Sequence, residues 1–182
     1  MRGFFLLIFL AIGFMGQAQS LAQLDQKKGF KEFQLGDSYT KWSDALSYKG
    51  SYSDGAKEYL YTGACCQQLF NYELDRILLR FYEGKLVGIH LRTEKTQESY
   101  EVSGKYTNWQ IDDLENLVGL FSNLFGKPSD VGKNEDGVSF FWQGKKVLLV
   151  ATYKYLGVSY GDRLEVKVLD DPYFRGFLGN GF

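Results

Sequence analysis

Histidine, cysteine and proline are scarce in this chain, which contains one histidine, two cysteines and two prolines. A Ser-His-Asp or Cys-His catalytic site would have to use His90, and a zinc site would lack a second imidazole. The adjacent cysteines, Cys65 and Cys66, do not complete a tetrahedral metal site alone. The sequence therefore predicts no nucleophilic triad, no metal centre and no cofactor. His90 lies mid-strand between two apolar residues, and we expect it on the sheet surface.

A surplus of positive charge is also missing. Lys and Arg together number 21, against 22 for Asp and Glu, and no basic run interrupts this balance. Phosphate binding requires a clustered positive excess, so the composition excludes nucleic acid as the main partner.

Long apolar runs are missing beyond the first eighteen residues. Arg2 precedes an apolar stretch that ends at Met15, and small and polar residues follow it. This pattern predicts a signal peptide over residues 1–18, with cleavage after Ala18 or Ala22. The stretch is shorter than the roughly 20 residues that a membrane-spanning helix needs. We expect a mature chain in the periplasm or outside the cell, without a transmembrane span and, lacking a cysteine at the exit, without a lipid anchor.

The adjacent cysteines leave three interpretations open. Exported chains meet oxidising conditions more often than cytosolic ones, so the thiols of Cys65 and Cys66 are able to react. A bridge between neighbours closes a very small ring and strains the usual disulfide geometry. The pair is therefore a strained vicinal disulfide, two free thiols without a role, or a site of intermolecular pairing or metal capture.

Two stretches of apolar periodicity predict helices. Residues 19–29 show no such period and are interpreted as a mobile lead-in. Tyr39, Trp42 and Leu46 then recur at helical spacing and predict a short helix after Asp37-Ser38. Apolar residues from 111 to 125 repeat every three or four positions and predict a longer helix, which Gly126 and Pro128 end.

Alternating apolar residues and glycine turns predict strands around these helices. Residues 77–82 and 86–93 form a predicted hairpin through Glu83-Gly84-Lys85. A second hairpin joins residues 138–142 and 147–153, and 164–169 is a further strand with one buried face. No period is visible in the tail from Asp170 to Phe182.

The two halves of the chain follow the same pattern of a helix and then strands. We therefore predict an α+β protein of two tandem helix-plus-antiparallel-sheet units, each sheet packed against one helix. The first unit spans 30–93 and the second 109–182, with a polar linker over 94–108.

This repeated pattern behind a signal peptide resembles the tandem-repeat fold of the β-lactamase inhibitor proteins. It is also similar to the small lipoprotein domains of the outer-membrane assembly machinery. The segment Phe33-Gln34-Leu35-Gly36-Asp37-Ser38 looks like their start of the first helix, and Phe125-Gly126-Lys127-Pro128 looks like its end. The chain departs from the lipoproteins in lacking a lipobox cysteine, and from the inhibitors in its cysteine pattern. The resemblance implies a fold and carries over no functional residue.

Exposed aromatic residues are the best indication of function in the sequence. Rigid side chains with a polar tip suit protein or sugar binding, although cross-strand packing also explains them. We therefore expect an exported, non-enzymatic protein that binds a protein partner through an aromatic-rich sheet face. The candidate contact residues are Tyr100, Tyr106, Tyr153, Tyr155 and Tyr160.

The alternative function is a carboxylate-dependent envelope hydrolase acting on glycans, because such an enzyme uses two carboxylates that meet only in the fold. The visible pairs are Glu73 with Asp75 and Asp170 with Asp171. The motif Gly157-Val158-Ser159-Tyr160-Gly161 matches a nucleophile elbow in letters only, since a strand follows it and the sole histidine precedes it.

Overall fold

One antiparallel sheet dominates the fold. The computed structural model describes residues 21–93, 109–134, 137–155 and 162–179. The strands in these ranges are β1 (Gly29–Phe30), β2 (Phe33–Gln34), β3 (Leu46–Ser51), β4 (Lys57–Tyr61), β5 (Gln68–Leu69), β6 (Tyr72–Tyr82), β7 (Lys85–Thr93), β8 (Asp130–Asn134), β9 (Gly137–Gln143), β10 (Val147–Tyr155) and β11 (Asp162–Asp170). The helices are α1 (21–27), α2 (Trp109–Phe125) and α3 (Asp171–Gly179). The main sheet has the order β3-β4-β6-β7-β11-β10-β9-β8, with β5 beside β6, and β1 pairs with β2 separately.

Both predicted hairpins are confirmed. β6 and β7 pair through a turn in which Glu83 and Gly84 have φ values of 46° and 73°. Two consecutive positive φ values are typical of the tight turns whose twist matches that of a hairpin. β9 and β10 form the second pair. The predicted core residues of the first hairpin are all at most 4% exposed: Leu79, Phe81, Leu86, Ile89 and Leu91.

The prediction of two helix-plus-sheet units is wrong. β7 pairs with β11 from Gly88–Leu169 to Arg92–Glu165, so strands from both predicted units belong to one sheet of mostly β architecture. Thr93 and Leu164, 71 residues apart in sequence, reinforce this junction because the backbone N–H of Leu164 donates to the Thr93 hydroxyl at 3.2 Å. The predicted signal peptide (1–18) and linker (94–108) lie outside the described residues.

α2 packs on the core face of the sheet. Leu114, Leu117, Phe121 and Phe125 are buried on its inner side and meet the side chains of β7, β10 and β11 in one cluster. Gly126, with φ 81°, follows the helix as predicted, because glycine enters this left-handed region without a Cβ clash. Its carbonyl accepts a hydrogen bond of 2.8 Å from the indole N–H of Trp142, which ties the helix end to β9.

The segment predicted as a lead-in contains α1. Leu24 is 3% exposed and belongs to the core cluster. The carboxylate of Asp25 accepts hydrogen bonds from three consecutive backbone N–H groups, those of Lys145, Lys146 and Val147, at 2.8, 2.8 and 3.0 Å. These bonds attach α1 to the turn between β9 and β10.

The first predicted helix is also wrong. Tyr39–Lys41 and Ser43–Ala45 are short 3-10 turns, and Leu46–Ser51 is the edge strand β3, paired with β4. A 3-10 turn repeats every third residue, so it satisfies the spacing of Tyr39 and Trp42, whereas Leu46 already begins β3. The ring of Trp42 lies 4.7 Å from that of Phe33, and this aromatic packing holds the turns in place.

The tail, for which no structure was predicted, contains α3. The Asp170 carboxylate accepts the backbone N–H of Tyr173 at 3.1 Å, which is an N-terminal cap. Pro172 in the first turn agrees with this start, because its missing N–H has no intrahelical partner there. Within the ranges that the structure describes, no helix has the length and apolarity needed to cross a membrane.

Candidate functional site: a cationic sheet face

Side chains alternate between the two faces of the sheet, so the face opposite α2 carries the polar residues of β7, β10 and β11. The register places Glu165 beside Arg92, and Arg163 beside Lys154. Lys167 follows on the same side of β11, beside His90 of β7. We call Arg92, Lys154, Arg163 and Lys167, with the central Glu165, the cationic face.

Glu165 lies at the centre of this face and is only 5% exposed. Its Oε1 atom lies 3.3 Å from Nε of Arg92 and 3.9 Å from Nε of Arg163. Its Oε2 atom lies 3.1 Å from Nε2 of His90. None of these three nitrogens is aligned for a hydrogen bond, although all three are buried. The contacts are therefore electrostatic, and one carboxylate is shared among several basic groups.

The ionisation states of Glu165 and His90 follow from their surroundings. Burial raises the pKa of the Glu165 carboxyl, but His90, Arg92 and Lys167 lower it more, and the resulting pKa is about 2. Burial lowers the pKa of His90 below its ordinary value of 6.5, and the attraction of Glu165 offsets this only in part. Near neutral pH the carboxylate is ionised and the imidazole is neutral. Two arginines and Lys167 then interact with one anion, and Lys154 lies beside Arg163 on the same face.

A pocket of about 170 Å³ continues this face toward α3. The charged side chains of Arg80, Lys167 and Glu58 line it, together with apolar ones such as Leu169 and Phe174. The guanidinium carbon of Arg80 lies 3.7 Å from the ring centroid of Tyr52, a close cation–π contact.

Asp54 fixes the position of Arg80 in this pocket. Its Oδ2 atom lies 2.7 Å from Nη2 of Arg80 and also accepts a hydrogen bond from the hydroxyl of Tyr173. Burial raises the pKa of Asp54, but Tyr173, the Ala56 backbone N–H and Arg80 lower it below its ordinary value. The pKa of Tyr173 rises to about 12 through burial and its hydrogen bond to Asp54. Asp54 thus compensates Arg80, and Glu58 adds a second carboxylate to the pocket, so the excess of positive charge lies on β7, β10 and β11.

The structure does not gather the predicted tyrosines into one exposed face. Tyr153 is half-buried and packs against the core cluster, on the side of α2. Tyr155 ends β10, and Tyr100, Tyr106 and Tyr160 lie outside the described residues. Tyr48 and Tyr52, at 56% and 40% exposure, are exposed tyrosines that are not among the five candidate contact residues.

Both cysteines are free thiols and half-buried in the structure. The Cys65 sulfur lies 3.1 Å from the Tyr61 hydroxyl. Cys66 has a φ of 71°, unusual for a residue with a Cβ. The vicinal disulfide stays a prediction.

The predicted carboxylate pairs have structural partners. Asp75 lies 3.2 Å from Arg76, and Glu73 contacts the side-chain amide of Gln68. Asp171 is 2% exposed; it accepts a hydrogen bond of 2.8 Å from Gln143 and pairs with Arg175 at 2.6 Å. The described ranges contain no cluster of three or more metal-ligating residues.

Sequence reasoning missed the cationic face, although half of its pattern was visible. The alternation of β11 places Arg163, Glu165 and Lys167 on one face. The sequence predicted that this strand has one buried face and one that faces solvent. The sequence does not show which strands pair with β11. Arg92 and Lys154 join the cluster only because β7 and β10 are the two neighbours of β11.

Comparison of the chain with protein-family models, curated proteins and solved structures found no match.

Proposed function

We propose that the mature chain is an exported, non-enzymatic binding protein whose cationic face binds an acidic segment of a protein partner. The observation that carries this proposal is the sharing of one carboxylate, that of Glu165, between Arg92 and Arg163. One anion compensates one cation, so positive charge is left over on this face. Charge complementarity of this kind gives an interface its specificity and raises its association rate.

The spacing of the basic groups favours an extended ligand. Arg92, Lys167 and Lys154 lie on three successive strands, β7, β11 and β10. Neighbouring strands are about 4.8 Å apart, so the backbones that carry Arg92 and Lys154 are separated by about 10 Å. A small anion contacts only part of such an array, whereas carboxylates along an extended acidic segment repeat on a similar scale. A protein segment therefore fits the face better than a single small ion.

The hydrolase alternative receives less support from the described carboxylates. A glycosidase needs one carboxyl group that stays protonated near neutral pH, which requires a raised pKa. Asp37, Asp54 and Glu165 have a shifted pKa, and in each case the shift is downward. These three groups are ionised at the pH where a general acid must hold its proton.

Binding of a fluorescein-labelled oligoglutamate peptide, followed by anisotropy, tests the proposal. The double variant Lys154→Gln/Lys167→Gln removes two charges from the face and keeps the Glu165 contacts of Arg92 and Arg163. We expect it to weaken binding about fivefold or more. The matched control is Lys57→Gln/Lys133→Gln, which removes two exposed charges from β4 and β8.

Glu165→Gln supplies a second, opposite test. Loss of the central negative charge increases the positive charge of the face, so we expect tighter binding of the peptide. An equal loss of affinity in the two lysine double variants contradicts the proposal. So does an unchanged or weakened affinity in Glu165→Gln when circular dichroism shows the native fold.

A further inference from the structure

A second concave site lies on the opposite face of the sheet, between α1, the β1–β2 hairpin and α2. It is a cleft of about 250 Å³. Its floor is formed by core side chains of the sheet, among them Leu91, Leu149 and Val166. Its walls come from the helices and the loop after β5, and include Leu24, Phe121 and Phe70. The cleft is thus apolar on all described sides, except at two lysines.

Those two lysines, Lys27 and Lys31, give the cleft a positive charge. The Lys27 ammonium lies 5.8 Å from the ring centroid of Phe125, and the Lys31 ammonium lies 5.5 Å from that of Phe30. Both rings line the cleft, and so do both lysines. No acidic side chain is among the described residues that line it. An anionic head group with an apolar tail matches this arrangement of charge and surface.

The backbone holds Lys31 in a conformation that costs energy. Its φ of 50° lies in the left-handed region, which a residue with a Cβ enters only when its surroundings impose it. The tight turn between β1 and β2 imposes this value, as the β6–β7 turn does at Glu83, and it places Lys31 at the cleft.

Apolar surface is left exposed at the rim of the same cleft. Phe70 is 42% exposed and Leu124 is 36% exposed. Both line the cleft, whereas Val131, a further exposed hydrophobic residue, does not. Exposed apolar side chains beside an apolar cavity indicate a surface that a ligand covers.

We propose that this cleft binds a free medium-chain fatty acid, with the carboxylate at Lys27 and Lys31 and the alkyl chain along the sheet floor. An apolar cavity of about 150 Å³ accommodates benzene, so by proportion this cleft has room for about ten carbon atoms. This site is independent of the cationic face, which lies on the other side of the sheet.

Titration calorimetry with decanoate tests the assignment. We expect a dissociation constant of about 1 mM or tighter for the unmodified mature chain. Decanol lacks the charge, and decyltrimethylammonium carries the opposite one, so both are expected to bind more weakly than decanoate. Equal binding of the three probes overturns the proposal, and so does binding to anionic phospholipid vesicles without binding of decanoate.

Two variants locate the ligand. Lys27→Gln/Lys31→Gln is expected to weaken decanoate about threefold to tenfold and to leave decanol unchanged, whereas Lys57→Gln/Lys133→Gln changes neither. Leu124→Trp fills the rim of the cleft and is expected to weaken decanoate at least about tenfold. Val131→Trp, at an exposed position outside the cleft, is its matched control. Unchanged affinity in a natively folded Leu124→Trp protein places decanoate elsewhere and refutes the site.

Discussion

Arg80 and Asp54 form an ion pair of 2.7 Å in which the arginine side chain is 18% exposed and the aspartate side chain 5% exposed. The pair joins the loop before β4 to β6 and supports the pocket beside α3. Removal of one partner of such a pair leaves the other charge poorly compensated.

Asp54→Asn is therefore expected to lower the free energy of unfolding by about 2–3 kcal/mol, measured by urea denaturation. The comparison variant is Lys41→Gln, which removes a pair with Asp37 whose lysine is 49% exposed. An exposed pair contributes about 0–1 kcal/mol, so this loss is expected to be smaller. Equal losses in the two variants contradict the stabilising role of the Arg80–Asp54 pair.

The depressed pKa of Glu165 predicts a loss of stability in acid. Its pKa is 4.5 in the absence of neighbours and about 2 in the fold, so its contribution is present above pH 4.5 and disappears as the pH falls toward 2. The shift corresponds to about 3 kcal/mol. The free energy of unfolding against pH is expected to fall less steeply in Glu165→Gln than in the unmodified chain.

His90 acts in the same direction in a higher pH range. Its folded pKa is below 6.5, so the folded state binds the proton less readily than the unfolded state does. Its contribution is present above pH 6.5 and is lost as the pH falls through the lowered pKa.

A pH profile of Glu165→Gln as steep below pH 4.5 as that of the unmodified chain refutes the assignment to Glu165.

Asp25→Ala is expected to detach α1 from the turn between β9 and β10. Three backbone N–H groups lose their acceptor, and the expected cost is about 2–3 kcal/mol. Hydrogen exchange supplies the local readout, because the amides of Lys145, Lys146 and Val147 are expected to lose protection. Asp25→Asn keeps one carbonyl oxygen as an acceptor and should lose less. Unchanged protection of these amides in Asp25→Ala shows that the contact is dispensable.

The Cys66 thiol is expected to alkylate slowly. Burial, and after it the neighbouring Cys65 thiol, raise its pKa to about 11, and the thiolate is the reactive form. In Cys65→Ser, the rate of iodoacetamide labelling should still be rising at pH 9, because burial, the largest cause of the raised pKa, remains. A rate that has reached its plateau by pH 9, the ordinary value for this thiol, contradicts the buried environment. Mass spectrometry of the unmodified chain, alkylated without reductant, tests the predicted vicinal disulfide separately.

Local patterns predicted the elements whose structure depends on local chemistry. The turn at Glu83-Gly84, the alternation of β11 and the helix that ends at Gly126 are all specified within a few residues. The α3 helix was missed because its glycines and aromatic residues hide an apolar period, although Asp170 and Pro172 mark its start. The 3-10 turns around Trp42 were mistaken for a helix because both structures repeat apolar residues at three-residue spacing.

The candidate site depends on contacts that no local pattern contains. Arg92 and Glu165 become neighbours only when β7 pairs with β11, and the identical alternation would suit either strand in a separate sheet. The cleft likewise combines α1, a segment with no visible period, with α2 and the sheet floor. The sequence indicated which residues are polar or apolar, but strand order decided which of them meet.

The pairing of β7 with β11 has a consequence for the order of folding. Each hairpin forms from contacts close in sequence, but this junction closes a loop in which Thr93 and Leu164 are 71 residues apart. Such non-local pairing slows folding, because the entropy of loop closure is lost before the contacts form. Ribosomes synthesise the β6–β7 hairpin first, and the edge of β7 then has no partner until β11 follows. During that interval the unpaired edge of β7 is free to pair with another molecule.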